Sequence, residues 1–368
     1  MRALALAVGL ALVACSQATP VTSPTPAPTH EAGTFNVTAL LDLSGNRVPN
    51  GVPQREALQL WADQHASASP RVKLRIVDVA GSQARTLVEL RRAAVEERAD
   101  AIIVGAFAEY DAAFASAVQL ARLPVLFTLP VAEPAVAGGG WAFALAPTPA
   151  DLAKAALDDA AARTVLTSTI VVSDESAGAI PERAALMADL ARRSVTPTLL
   201  KATVPETSRM RTALATSSVV LFAGPAKTYV DAARAAPAGA FLYFSYVCET
   251  ADVADLRDVA AVVTWPGSRW IAAGTASAAR AAFVQSFTER AGGPPTTPAA
   301  SAYDALVILA SAAGESLDAM RVRQRIEDTR VAGIATTYSF TATRHAGFGT
   351  ADLALLRYTG ARTPPIVR

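Results

Sequence analysis

The sequence predicts an α/β fold in which parallel, doubly wound sheets are divided between two domains. From Phe35 onward, short apolar stretches alternate with segments of helical periodicity, a pattern typical of parallel strands connected by helices. The stretch 101–104 is apolar at every position, as expected for a strand covered on both faces. Right-handed crossovers in both directions from a central strand then cover both faces of each sheet. The chain has 368 residues, and the roughly 335 that follow the N-terminal region favour two domains over one.

Two rounds of strand–helix alternation make up most of the chain. The first has predicted strands at 35–43, 72–76, 101–104 and 125–127, and predicted helices at 54–66, 87–94 and 111–121. The second begins at Thr148, where Thr at the N-cap, Pro149 at N1 and Asp151 at N3 predict the start of a helix. Its strands are predicted at 169–172, 219–222 and 241–244, and its helices at 182–193, 210–216 and 226–236.

The C-terminal part does not read as a third domain. It has predicted strands at 260–265, 337–340 and 353–358 and predicted helices at 278–291, 299–313 and 321–328. We expect these elements to be shared between the two existing domains rather than to form a separate core.

The N-terminus predicts export and a lipid anchor. Residues 1–14 combine one positive charge with an apolar run too short to span a bilayer, which is typical of a signal peptide. The run ends in Leu12-Val13-Ala14-Cys15, which resembles the lipobox of bacterial lipoproteins and implies lipidation of Cys15. The segment that follows, up to residue 33, is rich in Pro, Thr, Ser and Ala, so 15–33 is predicted to be a disordered tether. An ordinary secretory signal that contains a cysteine is the alternative.

Cysteine usage and charge exclude other classes. The sequence has two cysteines. If Cys15 carries lipid, Cys248 has no partner for a disulfide and is expected to be a small buried hydrophobe. The formal net charge is +1, which argues against nucleic acid as a partner because phosphate binding needs a clustered basic excess.

Motifs typical of catalysis do not occur in the sequence. The three histidines, His30, His65 and His345, lack the spacing of metal ligands, and there is no Gly-x-Ser-x-Gly elbow. The segment 224–228 follows a predicted strand but lacks the glycines of a phosphate-binding loop. We therefore expect no enzyme activity, no metal and no cofactor.

Three motifs along the chain carry a resemblance to a known family. They are Leu41-Asp42-Leu43-Ser44-Gly45 with the helix after it, the run from 96–105 to Leu123-Pro124-Val125, and the block from Phe283 to Tyr303-Asp304-Ala305. Their order and spacing resemble the type I periplasmic binding proteins, in particular the branched-chain amino-acid binding proteins of ABC importers. The likeness covers nearly all of the mature chain, and the Tyr-Asp-Ala block is its most specific part.

The resemblance implies two similar α/β lobes that are joined by three crossings and close on a ligand between them. We expect the crossings near Pro147, Trp265-Pro266 and Gly333. Lobe one would then contain 34–146 plus 266–332, and lobe two 147–265 plus 333–368.

The candidate site lies in the loops after the strands, because open α/β sheets bind ligands beyond the carboxyl ends of their strands. The candidate ligand-binding residues are Ser44, Asn50, Phe107, Ala108, Glu109, Tyr110, Thr128, Leu129, Ala177, Tyr246 and Glu249. The alternative for Tyr246 is a packed side chain, and for Glu249 a surface position. Trp265 is expected to pack at a hinge and Trp141 against a strand.

Glu109 is the main departure from the family pattern. In amino-acid-binding relatives the loop after the Gly105-like glycine supplies a hydroxyl for the ligand carboxylate, whereas this chain has Glu109 there. The later Thr position falls near Ala132, and Ala177 replaces the usual aromatic residue. Because a Glu repels a carboxylate, ligands with an amine, hydroxyls or an amide are expected. The alternative is that Glu109 caps the helix at 111–121, where the helix dipole favours an acid.

Two functions stay open at this point. The first is capture of a small solute by a monomeric lipoprotein of the cell envelope, which delivers it to an ABC permease. The second keeps the fold without transport, as an envelope sensor that binds a protein partner.

Overall fold

The computed structural model describes residues 33–45, 48–132, 137–202, 207–224, 229–246, 256, 259–272, 277–314, 316–328, 330–357 and 366–367. The predicted signal peptide, Cys15, the tether up to residue 32, Cys248 and Glu249 lie outside these residues.

The described strands follow the alternation read from the sequence. In chain order they are β1 (Thr34–Leu41), β2 (Arg71–Asp78), β3 (Ala101–Gly105), β4 (Val125–Phe127), β5 (Ala142–Ala144), β6 (Thr169–Ser173), β7 (Thr198–Lys201), β8 (Val219–Ala223), β9 (Phe241–Tyr243), β10 (Val262–Ser268), β11 (Arg330–Ala332), β12 (Thr337–Ser339), β13 (Leu353–Arg357) and β14 (Ile366–Val367). The short strands β5, β7, β11 and β14 were not predicted, because two to four residues are too few to show a period.

The described helices lie between the strands. They are α1 (Val48–Gln64), α2 (Gln83–Val95), α3 (Ala112–Ala121), α4 (Pro149–Arg163), α5 (Ala179–Arg192), α6 (Thr207–Leu214), α7 (Val230–Ala233), α8 (Arg269–Ala272), α9 (Ala278–Ala291), α10 (Thr297–Ala313) and α11 (Ala319–Asp328). The predicted start of α4 is confirmed: Thr148 is its N-cap, Pro149 opens the helix, and Thr148 and Asp151 form a capping box. Helix α1 begins at Val48, ahead of the predicted residue 54, and contains Pro53.

The N-terminal sheet is parallel and doubly wound. Its described strands have the order β2-β1-β3-β4-β5. Val37 on β1 lies opposite Leu74 on β2 and opposite Ala101 on β3, so the chain leaves β1 in both directions. Strand β3 is buried along its whole length, as its apolar sequence predicts.

The second sheet is mainly parallel and ends in antiparallel strands. Its described strands have the order β14-β13-β10-β9-β8-β6-β7. The strands β6 to β10 pair in parallel, whereas β13 pairs antiparallel with β10 and with β14. Together the two sheets confirm the predicted α/β class with two doubly wound lobes.

The C-terminal helices complete the first lobe. Phe283 and Phe287 on α9, together with Leu306 on α10, are buried in one core cluster with Phe35 and Leu58. The motif residue Asp304 is fully buried and accepts hydrogen bonds from the backbone N–H groups of Ile334 (2.6 Å) and Ala335 (2.8 Å). The Tyr-Asp-Ala block therefore fixes the turn between β11 and β12.

The packing around β12 favours a third crossing later than the position near Gly333 that the sequence indicated. Tyr338, Phe340 and Phe348 pack in the first-lobe core, and Ala346 forms a parallel β-bridge with Ala144, the last residue of β5. The chain returns to the second sheet only at β13. The strand pattern at 337–340 does not reveal which sheet it joins, since either core would bury it. We propose lobes of 34–146 with 269–348, and of 147–268 with the residues from 349 onward.

Candidate functional site

The site is built where the carboxyl ends of the two sheets meet. The loops after β1, β3 and β4 belong to the first lobe, and the loops after β6, β8 and β9 belong to the second. Gly178, which precedes α5 in the second lobe, contacts the ring of Phe107 from the loop after β3. This contact shows that the two sets of loops face each other, as expected for a ligand site between sheets.

Gln54 joins its own helix, α1, to two other first-lobe segments. Its Nε2 donates to the carbonyl oxygens of Asn50 (3.1 Å) and Gly105 (2.9 Å), and its Oε1 accepts from the Thr128 hydroxyl (2.5 Å). Gln54 and Thr128 are both fully buried. The Thr128 hydroxyl was predicted to contact the ligand, but it donates its hydrogen bond to Gln54 within the protein. Gln54 was not predicted as a site residue, because a single polar residue in a helix gives no signal of such a role.

Two aspartates hold the loop after β1. Asp42 accepts from the backbone N–H groups of Gly81 (2.7 Å) and Phe107 (3.3 Å). Asp78 accepts from the Leu43 N–H (2.9 Å) and from the Ser44 side chain. Burial raises the pKa of Asp78, but the hydrogen bonds from Ser44 and the backbone outweigh it, and the pKa is lowered. The candidate Ser44 therefore shares its hydroxyl with Asp78.

The backbone at Glu109 is held by Gln83 at the start of α2. The Glu109 N–H donates to Gln83 Oε1 (3.0 Å), and Gln83 Nε2 donates to the Glu109 carbonyl (2.6 Å). The N-cap of α3 is Asp111, whose carboxylate accepts from the Phe114 N–H (2.8 Å). The alternative that Glu109 caps this helix is therefore wrong. That Glu109 lines the cleft stays a prediction.

The remaining candidates of this loop divide between core and cleft. Ala108 is buried in the core beneath the loop, and the Tyr110 ring packs against Phe114 and Phe127 in the same core, with ring centroids 5.8 and 6.0 Å away. Phe107 instead pairs with Leu129 from the loop after β4, and both are buried. Two of the predicted residues thus form the apolar floor of the site, whereas Ala108 and Tyr110 support it from below.

Several buried polar atoms lack a hydrogen-bond partner among the described residues, and two of them lie in the candidate loops, one on each lobe. Asn50, in the first turn of α1, is 5% exposed, and its side-chain Oδ1 accepts no hydrogen bond there. Ser176, in the loop after β6, has a buried Oγ in the same situation, although its backbone N–H donates to Asp174. Buried polar atoms normally have partners, so these two are candidates to meet a ligand. Asn50 was predicted as a site residue and Ser176 was not, although it lies next to Ala177.

A buried carboxyl lies behind the second-lobe loops. Glu182 on α5 accepts from the Ser245 hydroxyl (2.5 Å) and from the Gly224 N–H (3.2 Å). Burial, together with the charge of the nearby Asp174, raises the pKa of Glu182 to about 7, against the lowering effect of these two hydrogen bonds. A cavity of about 30 Å³ borders Glu182, Ser245 and Tyr246, which is room for about one water. The burial of Glu182 was not predicted, because a Glu in the first turn of a helix is ordinarily a surface residue.

Tyr246 lies on the hinge side of the second lobe. It is fully buried and packs with Ala146 and Leu152, next to the first crossing, which is the packed alternative considered for it. Trp265 lies in the core of the second sheet, and Trp141 packs in the first-lobe core with Arg323 over its ring at 5.3 Å. Glu249 lies outside the described residues, and Ala177 is partly exposed beside Gly178.

Two further properties bear on the kind of site. Within the part of the chain that the structure describes, no group of three or more His, Cys, Asp or Glu side chains could hold a metal ion. The described helices include none whose length and apolar character would let it cross a membrane.

The comparisons with known proteins agree with this geometry. Residues 34–362 match the family model described as periplasmic binding protein. An extracellular ligand-binding receptor from Rhodopseudomonas palustris is similar with a TM-score of 0.76 at 15% identity, over 92% of this chain and 100% of that one. A search of the curated proteins finds no match.

Two other similar structures have named ligands. A leucine-binding protein from Thermotoga maritima has a TM-score of 0.74 at 14% identity, over 91% of this chain and 98% of that one. A solute-binding protein of an ABC transporter from R. palustris, solved in complex with benzoate, has a TM-score of 0.75 at 15% identity, over 91% and 96%. Identities this low establish the shared fold and leave the ligand open.

Proposed function

Because the chain belongs to the periplasmic binding protein family, we propose that it captures a small polar or amino-acid-like solute between its lobes for an ABC importer. The observation that carries the proposal is the pair of buried polar atoms, Asn50 Oδ1 on one lobe and Ser176 Oγ on the other. A solute that bridges the lobes would supply the hydrogen bonds that these atoms lack within the described residues.

The first-lobe half of the site is preorganised. Gln54 and Asp42 hold the loops after β1, β3 and β4 through buried hydrogen bonds, so little ordering is left for the binding step. Ligand binding would then shift the equilibrium toward the closed form, since only that form contacts the solute from both sides. The permease would recognise the closed shape.

The charges of the loops favour a ligand with an amine, a hydroxyl or an amide. Within the described loops 42–45, 106–111, 128–132 and 174–178 there is no Lys or Arg, whereas Glu109 and Asp174 contribute carboxylates. The carboxylate of Glu175 is already ion-paired with Arg183 and Lys201. A ligand carboxylate near Glu109 or Asp174 would therefore meet like charge. The leucine and benzoate named for the similar structures both carry a carboxylate, so we expect a ligand of a different class here.

The location follows from the family and from the N-terminus. The family supports a position outside the cytoplasm, and the lipobox-like Leu12-Val13-Ala14-Cys15 supports a lipid anchor at the cell envelope. In this proposal the tether 15–33 separates the lobes from the membrane. One lipid-bearing cysteine would be the attachment point.

A second function, an envelope sensor that binds a protein partner, is favoured by one observation. The direct contact of Phe107 with Gly178 narrows the space between the lobes where a solute would lie. Affinity purification of the full chain from membranes separates the two functions: an ABC permease and its ATPase support transport, and a histidine kinase or cell-wall synthase supports the sensor.

Native mass spectrometry of the gently released mature protein tests solute capture. We expect a bound small molecule with an amine, hydroxyl or amide group, which is lost in Asn50→Leu and in Ser176→Ala. Ser311→Ala, at an exposed position on α10, is the matched control and should retain it. Equal retention by all variants would contradict the assignment of the site. Absence of any bound or bindable small molecule in the wild type would contradict solute capture itself.

A further inference from the structure

Phe107 reaches across the cleft to the second lobe. Its ring lies against the backbone of Gly178, where a Cβ would overlap Cδ1 and come within 2.6 Å of Cε1. Gly178 directly precedes α5, so its backbone belongs to the rigid base of that helix. The contact therefore joins a first-lobe side chain to a fixed point of the second lobe.

The ring has little freedom to withdraw. Leu129 packs behind it, and the two side chains are 4% and 3% exposed. The Phe107 N–H donates to Asp42, and Gln54 holds the neighbouring Gly105 and Thr128. Because these contacts fix the loop, the distance from the ring to Gly178 is set by how far the lobes close.

We propose that Phe107 is the specificity-determining residue of the cleft: its ring stops closure at Gly178 and limits the ligand to what fits beside it. The glycine at 178 is required because only a residue without Cβ lets the ring come this close. The size limit rests on the proposed solute-binding function. The contact between Phe107 and Gly178 can be tested without any ligand.

A double-mutant cycle measures the contact. Spin labels at Val88→Cys on α2 and Leu199→Cys on β7 report the distance between the lobes in the full chain, with Cys15→Ser and Cys248→Ser removing the native thiols.

Gly178→Ala should shift the distance distribution toward longer separations, because its methyl group meets the ring. In the Phe107→Ala background the same substitution should shift it much less. Gly293→Ala is the control, because its methyl group would meet nothing within 4 Å, and it should leave the distance distribution unchanged in both backgrounds.

Indole serves as the probe of the size limit. Removal of the ring leaves an apolar space beside Leu129, so Phe107→Ala should bind indole at least about tenfold more tightly than the wild type. Circular dichroism confirms that each variant is folded, and Phe107→Leu gives an intermediate readout if the alanine variant is unstable.

The outcomes separate the two proposals. Equal shifts by Gly178→Ala in both backgrounds, or unchanged indole affinity after loss of the ring, would overturn the role of Phe107. If the effects of Gly178→Ala and Phe107→Ala are coupled but the wild type binds no solute, Phe107 remains the contact that stops closure. Only the proposal of solute capture is then refuted.

Discussion

The Thr128 hydroxyl donates a 2.5 Å hydrogen bond to Gln54 Oε1, and neither side chain is exposed. This bond joins α1 to the loop after β4 at the centre of the first-lobe half of the site. Because Gln54 also donates to Gly105, one glutamine coordinates the positions of segments more than 70 residues apart along the chain.

Thr128→Val should destabilise the protein, because it keeps the side-chain shape and leaves Gln54 Oε1 buried without its donor. We expect the free energy of unfolding in urea to fall by about 1–3 kcal/mol. Thr288→Val on the exposed face of α9 is the control, expected within about 0.5 kcal/mol of the wild type. A loss at Thr128 no larger than at Thr288 would show that the bond is unimportant.

Glu182→Gln should remove a pH dependence of stability. The pKa of Glu182 is raised by burial to about 7, above its usual value, so the native state holds this proton where the unfolded chain releases it. The contribution to the free energy of unfolding is full at acid pH, falls as the pH rises through the interval up to about 7, and is flat above it. Urea unfolding between pH ~5 and ~8 measures the wild type against the variant.

Gln has the same shape as Glu but cannot ionise. The free energy of unfolding of the wild type should therefore fall relative to that of Glu182→Gln across that interval. Glu96→Gln, a change at an exposed carboxylate that ends α2, is the control. Parallel curves for wild type and Glu182→Gln would refute the raised pKa.

Glu109→Ser should improve binding of leucine, isoleucine or valine. If Glu109 lines the cleft, their carboxylate faces a like charge, and removal of one such contact in a partly buried site gains roughly 1–3 kcal/mol. Calorimetric titration at two salt concentrations measures the gain, and Glu96→Ser is the matched control. Tight leucine binding by the wild type that Glu109→Ser leaves unchanged would place Glu109 outside the cleft.

Cys15→Ser should move the protein from the membrane pellet to the soluble fraction, because the lipid on Cys15 is the proposed anchor. Cys248→Ser should stay in the pellet after a high-salt wash. Immunoblots of both fractions report the outcome, and a Cys15→Ser protein that remains with the membrane would exclude lipidation as the anchor.

The sequence was sufficient for the fold and for part of the site. Strand β3 shows its burial directly as an apolar run, and β1 shows it through apolar residues that alternate with Thr and Asn before Ala39, Leu40 and Leu41. The segment Thr148-Pro149-Ala150-Asp151 shows a helix start through local hydrogen bonding. Local signals of this kind depend on few neighbours. The loops after the strands could therefore be named before their contacts were known.

The roles of individual loop residues could not be read in the same way. Ser176 and Ala177 are neighbours of similar size, and only the packing shows which one has a buried polar atom. Glu182 and Glu109 are identical side chains, yet one is fully buried and paired while the other is partly exposed. Such differences arise from contacts between segments distant in sequence, which no local pattern encodes.

The late return of the chain to the first lobe has a consequence for how the protein is made. Phe35 and Tyr338 share one core, and the second sheet is completed only by β13 and β14. Neither lobe is thus a contiguous segment, and closure of either core must await nearly the last residue of the chain. Contacts between residues this far apart in the sequence slow folding. A chain whose cores cannot close early stays unfolded for longer during synthesis, and this delay would suit the export across a membrane that the N-terminal sequence predicts.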